Sequence, residues 1–375
     1  MACFHPNIVY MNTAPKELGE KAEIKKFYNG RKHNLCYEWF EKENEKFKKY
    51  GYHLEYQKVP CGDCAGCQEA YSKDWATRCV LEAQKYKSNY FITLTYDEEN
   101  APRDDELVNK KTGEIFENDN WEQAHLEERD MTLFLKKLRI TWKRHYNWPK
   151  DKPENYYEED VSKQFLELQE GIRFFYCGEY GGQTQRPHYH MILFNFPIPL
   201  EELTIRKIDK EGNYHWECEK ICNLWGKGHI DICEVNWDTC AYVARYVMKK
   251  QGGKKPDEYY YENGKTPEFI RMSRMPGLGL DFFTKNFQKI YQNDEIILKG
   301  HREKIQPVKP PRYFDAKYDL INHKDLEAIK EQRKFIAKQA NKSKNLQTDL
   351  CERERLKREE YLKNKTWNSL KRDKV

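Results

Sequence analysis

The stretch Arg186-Pro-His-Tyr-His-Met-Ile-Leu-Phe194 decides the fold of this chain. After the proline the residues alternate in character and then become apolar, which predicts a buried β-strand over 187–194. Successive side chains of a strand point to opposite faces, so we expect His188 and His190 to share one face and Tyr189 to lie on the other. Two imidazoles so placed are ready ligands for a divalent metal, and polar residues on a wet sheet face are the alternative.

A second strand precedes the histidines. Gly171-Ile-Arg-Phe-Phe-Tyr-Cys177 has strand character, and the segment Gly178-Glu-Tyr-Gly-Gly182 that follows is rich enough in glycine to predict a hairpin loop. An antiparallel hairpin would bring Glu179 beside the histidines, where it could complete a His-His-carboxylate metal site. A simple turn residue is the alternative interpretation of this glutamate.

A helix with two tyrosines follows further along the chain. The segment Trp237-Asp-Thr-Cys-Ala-Tyr-Val-Ala-Arg-Tyr-Val-Met-Lys-Lys250 has helical spacing and precedes a pair of glycines. Tyr242 and Tyr246 are four residues apart, so they lie one turn apart on one helix face, with Lys249 and Lys250 just beyond them. Taken alone, two tyrosines at this spacing serve packing more often than chemistry.

Composition places limits on the partners of the chain. It has 375 residues, of which 34% are charged, and its 26 Tyr and 9 Trp exceed what one core of 38% hydrophobic content needs. Exposed aromatic residues interleaved with Lys and Arg suit stacking on unpaired bases. The formal net charge is only +5, so any surface that binds nucleic acid must be a local one.

The sequence predicts a protein of a reducing compartment that has no contact with a membrane. No segment approaches 18 apolar residues, and the first residues lack the basic and apolar pattern of a signal peptide. We therefore expect a cytoplasmic location. In that environment the 12 cysteines are more apt to bind metal or to be buried than to form disulfides.

One group of cysteines has metal-ligand spacing. Cys61, Cys64 and Cys67 follow a C-x2-C-x2-C pattern on a glycine-containing loop, which suits tetrahedral zinc with Cys79 or a distant residue as the fourth ligand. An iron–sulfur cluster is disfavoured, because the ferredoxin pattern requires a cysteine where Tyr71 stands. Free, partly buried thiols are the alternative.

The remaining pattern predicts further elements around these motifs. Strands are expected over 90–96 and 229–235, and a helix over 130–146. The charged C-terminal segment 323–373 predicts a long solvated helix with breaks near Asn341–Asn345.

Taken together, these motifs resemble the HUH endonucleases, and within them the replication-initiation proteins of gokushovirus-type microviruses, which are small icosahedral single-stranded-DNA phages. The resemblance covers roughly residues 58–315. The cysteine loop over 60–67 is also typical of that branch. The other motifs that carry it occur in the same order: Gly178-Glu-Tyr-Gly181, Arg186-Pro-His-Tyr-His190, Leu224-Trp-Gly-Lys-Gly228, Tyr242-Val-Ala-Arg-Tyr-Val-Met-Lys-Lys250 and Met272-Ser-Arg-Met-Pro-Gly277.

The resemblance implies an architecture. It is an α+β fold with a ferredoxin-like or RNA-recognition-like HUH endonuclease domain, whose central antiparallel sheet carries helices on one side. We expect this domain over residues 88–315, after an N-terminal region with the cysteine-rich loop over 1–87 and before a charged helical tail over 316–375.

The resemblance also implies a mechanism with two kinds of residue. His188, His190 and Glu179 would hold Mg²⁺ or Mn²⁺, and Tyr242 or Tyr246 would attack the scissile phosphate to leave a 5′-phosphotyrosine link and a free 3′-hydroxyl.

Basic residues of the same motifs would assist this chemistry. Lys249 and Lys250 would hold phosphates or assist the phenolate, and Arg245 and Arg186 would contact DNA. Surface charge without a role is the alternative for each of them.

The expected partners are single-stranded or supercoiled viral origin DNA and, by analogy, the replication helicase and polymerase of the host, in the cytoplasm of a bacterium. The rival interpretation is a non-catalytic, zinc-containing protein that only binds DNA and recruits partners. A nucleotide hydrolase with alternating histidines is disfavoured, because Ile192 stands where a third histidine would be needed.

Overall fold

The structure is a computed structural model in which parts of the chain are described. These are residues 3–12, 25–27, 45, 54–62, 64–109, 111–118, 123–145, 171–182, 184–210, 212–245, 260–300, 304–348, 350 and 352–369. The chain divides into two compact units. The first comprises Met1–Tyr71 and Lys334–Lys371, and the second contains Ser72–Arg333.

The elements are numbered along the chain. The strands are β1 (Asn7–Asn12), β2 (Lys25–Phe27), β3 (Leu54–Val59), β4 (Asn89–Tyr96), β5 (Glu106–Val108), β6 (Ile115–Glu117), β7 (Arg173–Tyr180), β8 (Pro187–Phe194), β9 (Thr204–Ile208), β10 (Tyr214–Glu217), β11 (Gly228–Glu234), β12 (Phe269–Met272), β13 (Ile296–Lys299) and β14 (Ile305–Val308). The helices are α1 (Ala65–Ala83), α2 (Glu128–His145), α3 (Glu219–Trp225), α4 (Trp237–Arg245), α5 (Leu280–Asn293), α6 (Arg312–Asp319), α7 (His323–Leu346) and α8 (Glu352–Ser369).

The second unit is organised around a seven-stranded sheet with the spatial order β12-β7-β8-β4-β11-β10-β9. Every pairing in this sheet is antiparallel. The fold is therefore α+β with a central antiparallel sheet, as the sequence predicts. The histidine strand β8 lies inside the sheet between β7 and β4, and the predicted strands over 90–96, 187–194 and 229–235 agree with β4, β8 and β11 to within one residue.

One face of the sheet is covered by α2 and α3. Tyr189 and Met191 of β8 point into this layer together with Leu94 of β4, so the alternation of the strands decides which residues are buried here. Trp225 of α3 fills the layer, with its ring 5.3 Å from that of Tyr96. The indole N–H of this tryptophan donates a hydrogen bond to the carbonyl oxygen of Thr95 at 3.3 Å, which satisfies its polar atom.

The other face of the sheet packs against α1 and α4. Phe91, Phe175 and Ile192 belong to this second layer, together with Trp75 of α1 and Val243 of α4. The expectation that helices lie on one side only is wrong for this chain. The physical reason is that the alternate residues of the central strands are apolar on this face too, so this face must also be covered.

The strand before the histidines is longer than predicted. The sequence places its end at Cys177, but β7 continues to Tyr180, so Glu179 stands in the sheet and not in a loop. Gly178 explains the difference. A side chain at this position would lie 3.1 Å from the ring of Tyr189 and 3.2 Å from that of Phe269, so the glycine provides room for aromatic packing within the strand.

The first unit contains a small three-stranded antiparallel sheet with the order β2-β1-β3. The charged C-terminal segment is helical, as predicted. Its break falls between the end of α7 at Leu346 and the start of α8 at Glu352, later in the chain than the predicted break near Asn341–Asn345. Among the described residues, no helix is both long enough and apolar enough to cross a membrane.

A glycine at the start of β11 gives a test of this fold. Gly228 has a φ of 140°, and a methyl group there would collide with the backbone of Thr95 and Asp97. We predict that Gly228→Ala lowers the free energy of unfolding by about 3 kcal/mol, because strain and overpacking add. Gly212→Ala is the matched control, since Gly212 has a φ of 85° with open space around it and should cost only about 1 kcal/mol.

The measurement is the shift of the urea unfolding transition for both variants. Equal costs for Gly228→Ala and Gly212→Ala would show that β11 does not approach β4 as described.

Candidate active site

Three predicted ligands meet on the face of the sheet that packs against α4. In the register of β7 and β8, Glu179 lies opposite His188 and Cys177 opposite His190. The Nε2 atom of His188 is 2.8 Å from Oε1 of Glu179, and the Nε2 atom of His190 is 2.9 Å from the same oxygen. Their ligand atoms lie within 4.8 Å of one another, so the structure brings together the set that the motifs predict.

The hydrogen bond of His188 decides which of its nitrogens faces the carboxylate. Its Nδ1 atom is 3.1 Å from the carbonyl oxygen of Arg186, and a carbonyl oxygen can only accept, so Nδ1 carries the proton and donates. In the neutral ring Nε2 then presents a lone pair toward Glu179. Two acceptors at 2.8 Å repel one another unless the ring gains a proton or a cation lies between them.

His190 is oriented by a residue that the sequence analysis missed. Its Nδ1 atom is 3.0 Å from the hydroxyl of Thr93, which lies opposite it on β4. A neutral His190 whose Nδ1–H donates to that hydroxyl also directs the lone pair of Nε2 toward Glu179. The alternation of β4 offered a signal, because it predicts that Thr93 shares a face with one of the flanking histidine positions.

The environment keeps the glutamate ionised although it is buried. Glu179 and His190 are 2% and 1% exposed. Burial acts to raise the pKa of Glu179, but hydrogen bonds with His188 and His190 outweigh it and hold this pKa well below its ordinary value. A buried carboxylate facing two imidazoles is a donor set that fits a divalent cation.

Helix α4 brings a tyrosine to this set. Buried Cys240, Val243 and Ala244 anchor the helix on the sheet, which places Tyr242 at the border of the packed layer. The hydroxyl of Tyr242 lies 3.4 Å from Nε2 of His190, and the two rings meet edge to face with centroids 5.0 Å apart. A phenol and a candidate metal ligand therefore adjoin.

The basic residues predicted for this region have different surroundings. The guanidinium carbon of Arg245 lies 5.9 Å from the ring centre of Tyr242. Arg186 forms an ion pair with Glu98 at the surface. Tyr246, Lys249 and Lys250, which the sequence predicts as catalytic residues, lie outside the described residues.

The cysteine loop gains a partner that the spacing did not reveal. The sulfur atoms of Cys61, Cys64 and Cys67 lie together with that of Cys3, all within 4.8 Å of one another. Cys79, predicted as a candidate zinc ligand, is not part of this group. Cys67 and Cys79 are twelve residues apart on the continuous helix α1, which separates them by about 18 Å along its axis. Cys79 is fully buried in the layer beneath the sheet.

A third group of ligand-type side chains was also missed. Nδ1 of His215 lies 2.5 Å from Oδ2 of Asp231 and 3.3 Å from the sulfur of Cys233. Its sequence signal is the alternation of Asp231 and Cys233 on β11, which places both on one face. Burial, together with the charge of Asp231, raises the pKa of Cys233 to about 12, so this thiol is protonated and is not a nucleophile.

The bond from Thr93 to His190 gives a test of the site. We predict that Thr93→Val weakens binding of Mn²⁺ about 10-fold or more, because the imidazole loses the group that orients it while the shape of the side chain is kept. Thr95→Val is the matched control on the same strand, since in the described part of the chain Thr95 makes no hydrogen bond to either histidine. Titration calorimetry would measure both, and equal affinities would contradict the role of Thr93.

Comparison with known proteins agrees with the motifs. A family model of the replication-associated proteins of the ORF2 type matches residues 89–251, the stretch that includes the histidine strand and helix α4. The chain is 29% identical over 341 residues to the replication-associated protein ORF2 of Spiroplasma virus 4, and this match covers 90% of the chain and 87% of that protein.

Two further relatives come from phages of other bacteria. The replication-associated protein VP4 of Bdellovibrio phage phiMH2K is 26% identical over 72% of the chain and 70% of its own length. The replication-associated protein ORF4 of Chlamydia phage 1 is 27% identical over 70% of the chain and 55% of its own length. No solved structure gives a significant match. The chain therefore belongs with the replication-associated proteins of the microviruses, and the family that its motifs indicate is confirmed.

Proposed function

We propose that this protein initiates rolling-circle replication by nicking and joining single-stranded DNA at a phage origin. Its relatives are named replication-associated proteins of phages, which supports a role in DNA replication. The observation that carries the chemistry is the contact of 3.4 Å between the hydroxyl of Tyr242 and Nε2 of His190. A nucleophile and a candidate metal ligand at one point of the sheet fit phosphoryl transfer to tyrosine.

The order of the elements supports assignment to a ferredoxin-like HUH endonuclease domain. With the inserted hairpins set aside, β4, α2, β7, β8, α3 and β11 follow one another as β-α-β-β-α-β. In the sheet these strands lie side by side as β7-β8-β4-β11, so the first and third strands of the unit pair at its centre. This is the split β-α-β arrangement, and it puts the two histidines on a central strand.

Glu179, His188 and His190 would hold the metal, and Mg²⁺ or Mn²⁺ is the expected ion. Bound there, the cation would polarise the scissile phosphate and offset the charge that builds on its oxygens. The chain prepares this set by holding Nδ1 of both histidines, one at the carbonyl of Arg186 and one at the hydroxyl of Thr93. Both Nε2 atoms are then free to bind.

In the proposed reaction the phenolic oxygen of Tyr242 attacks the phosphorus of the scissile phosphodiester. A bond between phosphorus and this oxygen forms, and the bond from phosphorus to the 3′-oxygen of the departing strand breaks. The phenol gives up its proton and the departing oxygen takes one up. The products are a 5′-phosphotyrosine and a free 3′-hydroxyl, which a host polymerase would extend.

A second tyrosine on the same helix would allow the cycle to close. Tyr246 lies one turn beyond Tyr242 in the sequence, outside the described residues. After a round of synthesis it would attack the regenerated junction, releasing a circle while the protein stays attached to the new end. Arg245 stands beside Tyr242, and its charge would stabilise a phenolate, with Lys249 and Lys250 as further phosphate-binding residues.

The rival function is a DNA-binding protein that recruits replication partners without cleavage. It would use the same aromatic and basic surfaces, but it has no need for a tyrosine beside a His-His-Glu set. Incubation with supercoiled origin DNA separates the two. A nickase relaxes the DNA when Mg²⁺ is added and a chelator abolishes this activity, whereas a non-catalytic binder leaves the DNA supercoiled in both cases.

Substitution of the tyrosines tests the proposed chemistry. In the Tyr242→Phe, Tyr246→Phe double variant we expect covalent attachment to a labelled origin strand in Mn²⁺ to fall at least about 1,000-fold, while DNA affinity stays within about twofold. The reason is that phenylalanine keeps the ring but lacks the attacking oxygen. The adduct would be quantified on denaturing gels, and the binding by fluorescence anisotropy.

The control is Tyr214→Phe, which removes a hydroxyl from a tyrosine that is 45% exposed on β10 and should leave the adduct unchanged. The two single variants report which tyrosine cuts first. Undiminished adduct in the double variant would end the proposal.

A further inference from the structure

We propose that Cys3, Cys61, Cys64 and Cys67 hold a structural zinc ion that organises the first unit of the chain. This site is separate from the Glu179–His188–His190 set and does not depend on the nicking function. Three of its residues come from the C-x2-C-x2-C loop, and the fourth is supplied by the N-terminal segment. Four cysteine sulfurs in one cluster are a ligand set typical of structural zinc.

The distances between the sulfur atoms match a single tetrahedral ion. The sulfurs of Cys61 and Cys67 are 3.9 Å apart, and those of Cys64 and Cys3 are 3.8 Å apart. A tetrahedron with Zn–S bonds of about 2.3 Å has edges of about 3.8 Å. A disulfide needs about 2.0 Å, and all four cysteines are free. An iron–sulfur cluster, with several iron ions between the thiolates, would hold the sulfurs farther apart.

Backbone amides surround the sulfur atoms as they would surround thiolates. The N–H of Phe4 donates to the sulfur of Cys64, that of Cys61 to Cys3, and that of Cys64 to Cys61, each at 3.3 Å. Such bonds orient the ligands and disperse the negative charge that four thiolates place around one cation. The loop can bend this tightly because Gly62 has a φ of 91°.

The cluster lies where three distant segments of the first unit meet. Phe4 of the N-terminal segment is 6% exposed beside the cysteines, and Leu356 of α8 packs against the same group. Around it, His5 is 2.6 Å from the carboxylate of Glu360, and Lys363 pairs with Glu69. An ion at this position would therefore fasten the N-terminal segment, the start of α1 and helix α8 to one another.

Zinc content tests the site directly. The full chain would carry His188→Ala and His190→Ala, so that zinc cannot bind at the other set, and metal would be quantified by mass spectrometry after exhaustive dialysis. We expect one equivalent of zinc and no iron. In this background Cys3→Ser should weaken zinc binding at least tenfold in competition with a chelating dye. Cys79→Ala and Cys222→Ser, which change cysteines outside the cluster, should retain full affinity.

Cobalt gives a readout that does not depend on stability. With Co²⁺ the chain should show the intense d–d and thiolate charge-transfer bands of a tetrahedral four-sulfur site. Cys3→His, which keeps a ligand, should bind with a shifted spectrum, whereas Cys3→Ser should lose the tetrahedral signature. Iron in place of zinc, or a Cys3→Ser variant with unchanged affinity and spectrum, would overturn the proposal.

The structural consequence has its own test. Removal of zinc with a chelator should increase the rate at which a protease cleaves within α8 at least tenfold, because the contact of Leu356 with the cluster is lost. Cleavage within α2 is the internal reference, since that helix belongs to the second unit. An unchanged cleavage rate in α8 of a chain proven free of zinc would contradict the organising role.

Discussion

The convergence of two imidazole nitrogens on one carboxylate oxygen is the interaction on which the rest of the site depends. It follows from the register that sets Glu179 opposite His188, and from the two-residue period that returns His190 to the same face. A slip of one residue would turn both histidines into the layer under α2 and α3. Apolar neighbours such as Ile192 and Phe194, which are fully buried, hold this register and so position the ligands.

Much of this centre could be predicted from the sequence, because short-range periodicity encodes it. Alternation along the histidine strand places His188 and His190 on one face, and a spacing of four places Tyr242 and Tyr246 on one helix face. The order of strands and helices in the catalytic unit could be predicted for the same reason. The end of β7 could not, since Gly178 looks like a turn residue until its aromatic neighbours Tyr189 and Phe269 are known.

The parts that escaped prediction depend on contacts between distant residues. Cys3 joins a loop almost sixty residues away, whereas Cys79, whose spacing made it a candidate ligand, is carried into the sheet core by helix α1. Thr93 and His190 are 97 positions apart, and only the pairing of β4 with β8 brings them together. A linear pattern shows which residue types are present, but it does not show which strands are neighbours.

The central claim is that a tyrosine of α4 becomes joined to DNA at the His-His-Glu centre. Trypsin cleaves after Arg245, so Tyr242 and Tyr246 fall on different peptides, Gly228–Arg245 and Tyr246–Lys249. The most direct measurement is mass spectrometry of the tryptic digest after reaction with an origin strand in Mn²⁺. The account predicts a nucleotide adduct on one of these two peptides. An adduct on any other peptide, or none while the DNA is cut, would contradict it.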